Sequence, residues 1–426
     1  MSDTLRRIAV IGGSRIPFCR SNSAYSEKSN MDMLAGALQG VIDRHGLHGE
    51  KLDEVIAGAV TTHSRDWNLA REALLSTTMS PLTPGITLQQ ACGTSLQAAA
   101  MIGAKIACGQ IECGIAAGTD TTSDPPITFG PKFSKRLVKA GTARSAKARL
   151  KAFKGFSPGE LKPVLPANGE PRTGLSMGQH CERMAQEWDI AREDQDTLAL
   201  ESHHKAEQAY NEGFYDPLVM SWGGVMRDNN IRGDTTLDKL ASLRTVFAKG
   251  AEATLTAGNS TPLTDGAAAV LLASEDWASA HDLPVQAYLT ATRTAAVDFV
   301  GDEGLLMAPT VAVAEMLQQT GLTLQDFDFY EIHEAFAAQV LCTLAAWESE
   351  DYCRDRLGLD APLGAIDREK LNVKGSSLAV GHPFAATGAR IVGTLSHLLE
   401  EKGSGRGLIS ICTAGGMGVA AILERP

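Results

Sequence analysis

Short runs of small and branched apolar residues recur along the chain, and between them lie longer stretches whose apolar positions return every three or four residues. The first pattern predicts strands buried on both faces and the second predicts amphipathic helices. Their alternation implies an α/β fold with strands sandwiched between helix layers. Arg6-Arg7-Ile8-Ala9-Val10-Ile11-Gly12-Gly13 reads as a first buried strand ending in a turn. A helix over 32–45 then leads through Leu52-Asp53-Glu54-Val55-Ile56-Ala57-Gly58 into a second strand.

The same order returns later. A helix over 311–320 leads through Leu324-Gln325-Asp326-Phe327-Asp328-Phe329-Tyr330-Glu331 into a strand with similar spacing. Cys92 opens a helix over 93–109 before a strand over 113–117, and His382 opens a helix over 383–401 before a strand over 408–412. Asp265-Gly266-Ala267-Ala268-Ala269-Val270-Leu271-Leu272 closes the first copy as Gly416-Met417-Gly418-Val419-Ala420-Ala421-Ile422-Leu423 closes the second. Two βαβ-rich halves of one ancestry pack about a pseudo-twofold axis, which brings the repeated helix starts together. The expected units are an N-terminal half over 1–122 with 251–274, a C-terminal half over 275–426, and an inserted loop domain over 123–250 that folds over them as a lid. The insertion carries two helices, over 177–188 and 192–212, the second ended by Gly213. An acidic stretch over 348–370 lengthens the second half and reads as loop.

Composition narrows the function classes. With 426 residues, 44% hydrophobic and 21% charged, the chain can bury a large core. A net charge of −11 argues against nucleic acid as a partner. The eight cysteines show neither CxxC pairs nor the Cys/His spacing of a zinc cage, so no metal site is expected and a reducing compartment suits them. No cationic, apolar leader is read at the start, and the expected address is cytoplasmic. The longest uncharged stretch, over 73–104, contains Pro81, Pro84 and many polar residues, unlike the run of about 20 apolar residues that a bilayer requires. Between Pro125 and Gly159 there is no acid, but there are Lys132, Lys135, Arg136, Lys139, Arg144, Lys147, Arg149, Lys151 and Lys154. Phe129, Phe133, Leu137 and Ala140 recur there at helical spacing. Such an element reads as a solvated face, as a docking surface for an anionic membrane or a protein, or as a guide for phosphates.

Four motifs carry reactive groups. Gln90-Ala91-Cys92-Gly93-Thr94-Ser95-Leu96-Gln97 puts a cysteine where a strand turns into a helix. Free N–H groups and the positive dipole end there lower a thiol's pKa, although burial as an inert thiol is the commoner fate of a cysteine. Gly381-His382-Pro383-Phe384-Ala385-Ala386-Thr387-Gly388-Ala389-Arg390 places a histidine just before a proline at a helix start, able to take a proton from a nearby thiol. It holds in the second half the position that Cys92 holds in the first. Ile411-Cys412-Thr413-Ala414-Gly415-Gly416-Met417-Gly418 ends a buried strand in a glycine-rich turn. That turn either frees N–H groups toward an oxyanion and lets a second thiol approach a substrate, or is a tight hairpin. Glu331-Ile332-His333-Glu334-Ala335-Phe336 sets a further histidine at a strand end.

These motifs in this order, with the repeated halves, the loop domain and the Ala257-Gly258-Asn259-Ser260-Thr261 turn, resemble the thiolase family over nearly the whole chain. His333, where the family usually has Asn, and the basic loop before Ser157 are similar to the thiolase β-subunits of fatty-acid-oxidation trifunctional complexes. The resemblance implies a thiolase-like fold with a layered α-β-α-β-α core and 3-ketoacyl-CoA thiolase activity. It implies that Cys92 attacks the 3-keto carbon after His382 activates the thiol. His382 and His333 would stabilise the acetyl-CoA enolate, while Cys412 protonates it and later deprotonates CoA. The backbone N–H groups of Cys92 and Ala414 would form a second oxyanion hole. Ser176, Met177 and Thr261 match positions that line the pantetheine tunnel. Coenzyme A would be a substrate alongside 3-ketoacyl-CoA and acetyl-CoA, with no permanently bound cofactor. The implied assembly is a homodimer or a dimer of dimers, with a dehydrogenase/hydratase α-subunit as partner and peripheral membrane contact through 129–154. Gly93-Thr94-Ser95 departs from the common Ala-Ser-Gly without removing a reactive group. The alternatives are a biosynthetic acetoacetyl-CoA thiolase, a ketosynthase-type condensing enzyme, and a silent acyl-CoA-binding homologue. Cys412 argues against the ketosynthase, which needs no second acid/base thiol, and a silent carrier needs none of the four reactive side chains.

Overall fold

The buried apolar runs pair edge to edge in the computed structural model, which describes residues 5–426; positions 1–4 of the expected N-terminal half lie outside the described residues. The sheet order is Phe329–Ile332, Gly405–Thr413, Met417–Arg425, Ala287–Ala296, Ile8–Arg15, Thr264–Ser274, Cys113–Asp120, Glu54–Gly58 and Gly85–Thr87. The two ends are built alike. Glu54–Gly58 lies parallel to Cys113–Asp120, which is antiparallel to Thr264–Ser274, itself antiparallel to Ile8–Arg15. Phe329–Ile332, Gly405–Thr413, Met417–Arg425 and Ala287–Ala296 repeat that sequence of directions. The halves join where Ala9 faces Tyr288 and Val10 faces Ala287.

Helices cover both faces. Asn30–His45 packs outside the N-terminal strands and Ala308–Thr320 outside the C-terminal ones, while Thr94–Ala107 and Thr387–Lys402 lie against each other in the middle layer. This middle layer buries Leu96, Ala99, Ile102, Ile391, Val392 and Leu395 in one apolar cluster with strand residues of both halves. Cys113–Asp120 and Thr264–Ser274 are buried at every position, which is why their sequences run apolar without alternation.

Several boundaries differ from the sequence reading for identifiable reasons. The first strand does not turn at Gly12-Gly13 but continues to Arg15 through a bulge after Val10. Gly13 is required because a Cβ there would sit 2.9 Å from the Cα of Gly393 on the crossing helix. The first long helix begins at Asn30, two residues early, because Ser29 and Asp32 form a capping box. Pro383 does not open the later helix: a 3-10 turn over Phe384–Ala386 intervenes and the α-helix starts at Thr387. The acidic stretch read as loop contains the helix Glu350–Asp355 and a turn over Arg368–Lys370.

Within the insertion, Met177–Glu187 packs on Ala337–Glu348, and Arg192–Asn211 packs on Ala337–Glu348 and Ser377–Val380. A buried ion pair ties the insertion to the first strand. Arg15 donates from Nη1 and Nη2 to the two oxygens of Asp228 at 2.6 and 2.7 Å, and Asp228 also accepts from the Phe18 N–H and the Tyr210 hydroxyl. Asp228→Ala would strand the Arg15 charge in a dry site, so a loss of about 3–5 kcal/mol in urea unfolding is expected. A change below about 1 kcal/mol would mean that the pair holds nothing.

Candidate active site

Cys92 sits on a sharp turn before the Thr94–Ala107 helix. Ala91 has a φ of +47°, a conformation that a residue with a Cβ rarely adopts, and the Gly93 and Thr94 N–H groups bond back to the Gln90 and Ala91 carbonyls. The strained turn leaves part of the Cys92 residue accessible while its sulfur is enclosed beside His382, and its neighbours Thr94 and Ser95 are fully enclosed. Its Sγ lies 3.1 Å from Nε2 of His382, and the backbone N–H groups of Ala414 and of Cys92 itself act to lower its pKa.

The middle-layer helices hold that contact. Ser95 Oγ donates to the Ala385 carbonyl at 2.5 Å and accepts the Ala389 N–H at 2.8 Å, bolting one helix start to the other. Gly388 is needed at the crossing, because a Cβ would collide with the Leu96 backbone. Asp120, fully buried at the end of its strand, accepts the N–H groups of Val60, Thr61 and Ala385 and the Thr61 hydroxyl. It thereby grips the loop three residues after His382.

His382 and His333 lie side by side, ring centroids 4.1 Å apart, and one ligand-type atom of each falls with Cys92 Sγ inside a 4.8 Å cluster. The sequence predicted no metal centre; these three side chains are close enough to offer an ion three ligands, and their hydrogen bonds read equally as a nucleophile with its bases. His382 Nδ1 is 2.5 Å from the Thr387 hydroxyl oxygen. With Nδ1–H donating to Thr387, the Nε2 lone pair faces the thiol.

The expected lowering of the Cys92 pKa by the helix start does not prevail. Burial pushes the thiol up to about 12, against the two N–H donors, because removing a thiolate from water outweighs them. Burial, with the nearby Arg390 charge, pushes His382 down to about 3, and burial, the neighbouring His382 and Arg390 hold His333 well below the usual range. The resting site is therefore a neutral thiol beside two neutral imidazoles.

Cys412 is fully buried at the end of Gly405–Thr413, and burial, with a smaller contribution from the Cys92 thiol, holds its pKa well above the usual thiol range. The glycine turn that follows is a hairpin between Gly405–Thr413 and Met417–Arg425. Its tip is held by Glu170 of the insertion, whose Oε1 accepts the Gly415 N–H at 2.9 Å while the adjacent Ala414 N–H faces Cys92. Of the tunnel candidates, Met177 borders the apolar cluster that contains Cys412. Ser176 caps the Met177–Glu187 helix through the Gln179 N–H, and Thr261 donates its hydroxyl to the Ser377 carbonyl, so both hydroxyls serve the backbone.

Sequence reasoning missed Asp120, Glu170, Ser377, Thr387 and Arg390. Arg390 did leave a signal, a lone acid-or-base charge between Lys374 and Glu400, while Asp120 lies 265 positions from its partner Ala385.

Known proteins match along the whole length. A model of the thiolase N-terminal domain matches residues 8–276 and one of the thiolase C-terminal domain residues 283–425. The chain is 40% identical over 424 residues to a 3-ketoacyl-CoA thiolase of Yersinia pestis (strain Pestoides F), covering 98% of this chain and 97% of that protein. It superposes on the crystal structure of Bacillus anthracis acetyl-CoA acetyltransferase with a TM-score of 0.81 and 28% identity, covering 99% of this chain and 100% of the other. Against human mitochondrial 3-ketoacyl-CoA thiolase in complex with CoA the TM-score is 0.81 at 26% identity, covering 99% and 98%.

Two outcomes are expected from the buried groups. Both pKa shifts favour uncharged forms, so alkylation of Cys92 by iodoacetamide, followed by peptide mass, should quicken steadily as pH rises through neutrality. A rate independent of pH there would reveal a thiolate–imidazolium pair instead. Asp120→Asn turns an amide NH₂ toward backbone donors and should lower unfolding stability by about 1–3 kcal/mol, with slower Cys92 acylation.

Proposed function

This chain belongs to the thiolase family, and from that premise we propose that it is a 3-ketoacyl-CoA thiolase of fatty-acid β-oxidation whose chemistry runs through Cys92, His382, His333 and Cys412. The observation that carries the reading is the 3.1 Å contact of Cys92 Sγ with His382 Nε2.

The thiol proton passes to His382 Nε2 as Sγ attacks the 3-keto carbon, a transfer concerted with attack because neither group is ionised beforehand. The C3 oxyanion lies on the N–H groups of Cys92 and Ala414, each such donor worth about 3–4 kcal/mol in the transition state. Collapse breaks the C2–C3 bond and leaves its electron pair on C2 as the enolate of acetyl-CoA. The enolate oxygen faces His382 and His333, and Cys412 S–H delivers the proton to C2. The acyl group remains on Cys92. Incoming CoA gives its thiol proton to the Cys412 thiolate and attacks the acyl carbonyl. Acyl-CoA leaves, and the Cys92 thiolate recovers its proton from His382. Coenzyme A is thus a substrate, and Met177, Ser176 and Thr261 are read as walls of its tunnel. The inserted segment over 123–250 is read as the lid that completes this tunnel, and the units over 1–122 with 251–274 and 275–426 as the two catalytic halves.

The finer reading is the trifunctional β-subunit type, with a dehydrogenase/hydratase α-subunit or an anionic membrane meeting the basic arm. The helix Pro131–Gly141 and its neighbours expose Leu137, Val138 and Leu150 among lysines, over a cluster of Phe129, Phe133, Phe153 and Phe156 rings. Among the described residues no helix is long and apolar enough to cross a membrane. Arg136 leaves the docking set, because it pairs with Glu160 and donates to the Ala152, Lys154 and Gly155 carbonyls, so it shapes the arm.

Cys92→Ser should abolish acyl-enzyme formation. Cys412→Ser should still acylate from a simple acyl-CoA yet fail at C–C bond exchange, and full exchange in that variant removes Cys412 from its role. A 3-ketoacyl-CoA chain-length series assayed for CoA-dependent cleavage separates this reading from a biosynthetic acetoacetyl-CoA thiolase, which would act on the four-carbon substrate alone. Reversing Lys132 and Lys135 to Glu should weaken binding to anionic vesicles or the α-subunit and leave short-substrate turnover intact; unchanged binding to both refutes the docking surface.

A further inference from the structure

His333 is fully buried, and its two ring nitrogens have unequal surroundings. Nδ1 lies 2.8 Å from the Ser377 hydroxyl oxygen, while Nε2 has no partner among the described residues. Ser377 Oγ also receives Nη2 of Arg390 at 2.7 Å. Arg390 is itself buried, with Nη1 and Nη2 reaching Ser376 Oγ at 3.2 and 3.3 Å and Nη1 lying 3.8 Å from Glu331. A guanidinium only donates, so one Ser377 lone pair is committed to it. The hydroxyl has one proton to give, and among the described residues the one acceptor bonded to it is Nδ1 of His333. A ring nitrogen that accepts obliges the other to carry the proton.

We propose that Arg390 and Ser377 are positioning residues that lock His333 in its Nε2–H form, making it a direct hydrogen-bond donor within its cluster with Cys92 and His382. The neighbouring ring is set the opposite way: Thr387 takes Nδ1–H of His382, which leaves Nε2 of His382 as the acceptor of the thiol proton. Two adjacent imidazoles thus divide the labour of donor and base through two hydroxyls, and the difference between the hydroxyls is the presence of Arg390. The donor needs no bridging water to reach an oxygen placed beside this cluster. This inference rests on the cleavage reading above, in which that oxygen is the thioester oxygen of the acetyl-CoA enolate.

The test uses the full-length enzyme. In ¹⁵N-histidine-labelled protein, with His333→Asn to assign the signal, Nδ1 of His333 should appear as an unprotonated nitrogen and Nε2 as a protonated one; the reverse overturns the proposal. Ser377→Ala should lower kcat for ketoacyl cleavage about 10–100-fold, as loss of an outer hydrogen-bond partner does elsewhere. KM and the rate of Cys92 acylation by acetyl-CoA should be unchanged, and Ser377→Thr, which keeps the hydroxyl, should recover most of the loss. Wild-type kcat in Ser377→Ala, or an equal fall in acylation, overturns the assignment. If the wild-type enzyme shows the expected nitrogen signals but cleaves no 3-ketoacyl-CoA, the functional reading fails and the tautomer stands.

Discussion

A single contact, sulfur to ring nitrogen, spans 290 positions of sequence and links the two halves of the molecule. In the proposed reaction it tolerates little error, since a displacement of one ångström at a reacting pair is enough to slow catalysis about a hundredfold. Much of the architecture around it is a means of fixing that distance. Ser95 ties one helix start to the loop and helix of the other, Gly388 lets the helices approach, and Asp120 clamps the loop from the strand beneath. The two terminal turns therefore behave as one rigid part although the sheet strands behind them meet at only two residue pairs.

Enclosure sets the electrostatics. Thiols and imidazoles that would ionise near neutrality in water are held uncharged here, Cys92 at about 12 and His382 at about 3. The Glu331 carboxyl is raised to about 8 by the same enclosure, which leaves Arg390 as the principal positive charge beneath the imidazoles. A site prepared this way spends no field on a resting ion pair, and its donors act on charge that develops during reaction.

The sequence displayed what depends on local pattern. The repeated order of strands, the apolar runs and the motifs around Cys92, His333, His382 and Cys412 were legible because each is contiguous. Boundaries were less so: the Ser29–Asp32 capping box moved a helix start by two residues, and Gly12-Gly13 looked like a turn when its purpose is to let another backbone pass. The direction of the Cys92 shift was misread because a helix start is visible in sequence and the depth of burial is not. Ser377, Asp120 and the placing of Arg390 were illegible for a related reason. Nothing near Asp120 in the chain indicates Ala385, and only folding brings Arg390 under His333.

The order of synthesis adds a consequence of the strand Thr264–Ser274, which lies between Ile8–Arg15 and Cys113–Asp120 in the sheet although the whole insertion precedes it. The sheet of the first half cannot be completed until that strand is made, and His382, the contact of Cys92, follows it by more than a hundred residues. Cys92 is thus made long before its imidazole contact, and the contact can form only once the carboxy-terminal residues have been made.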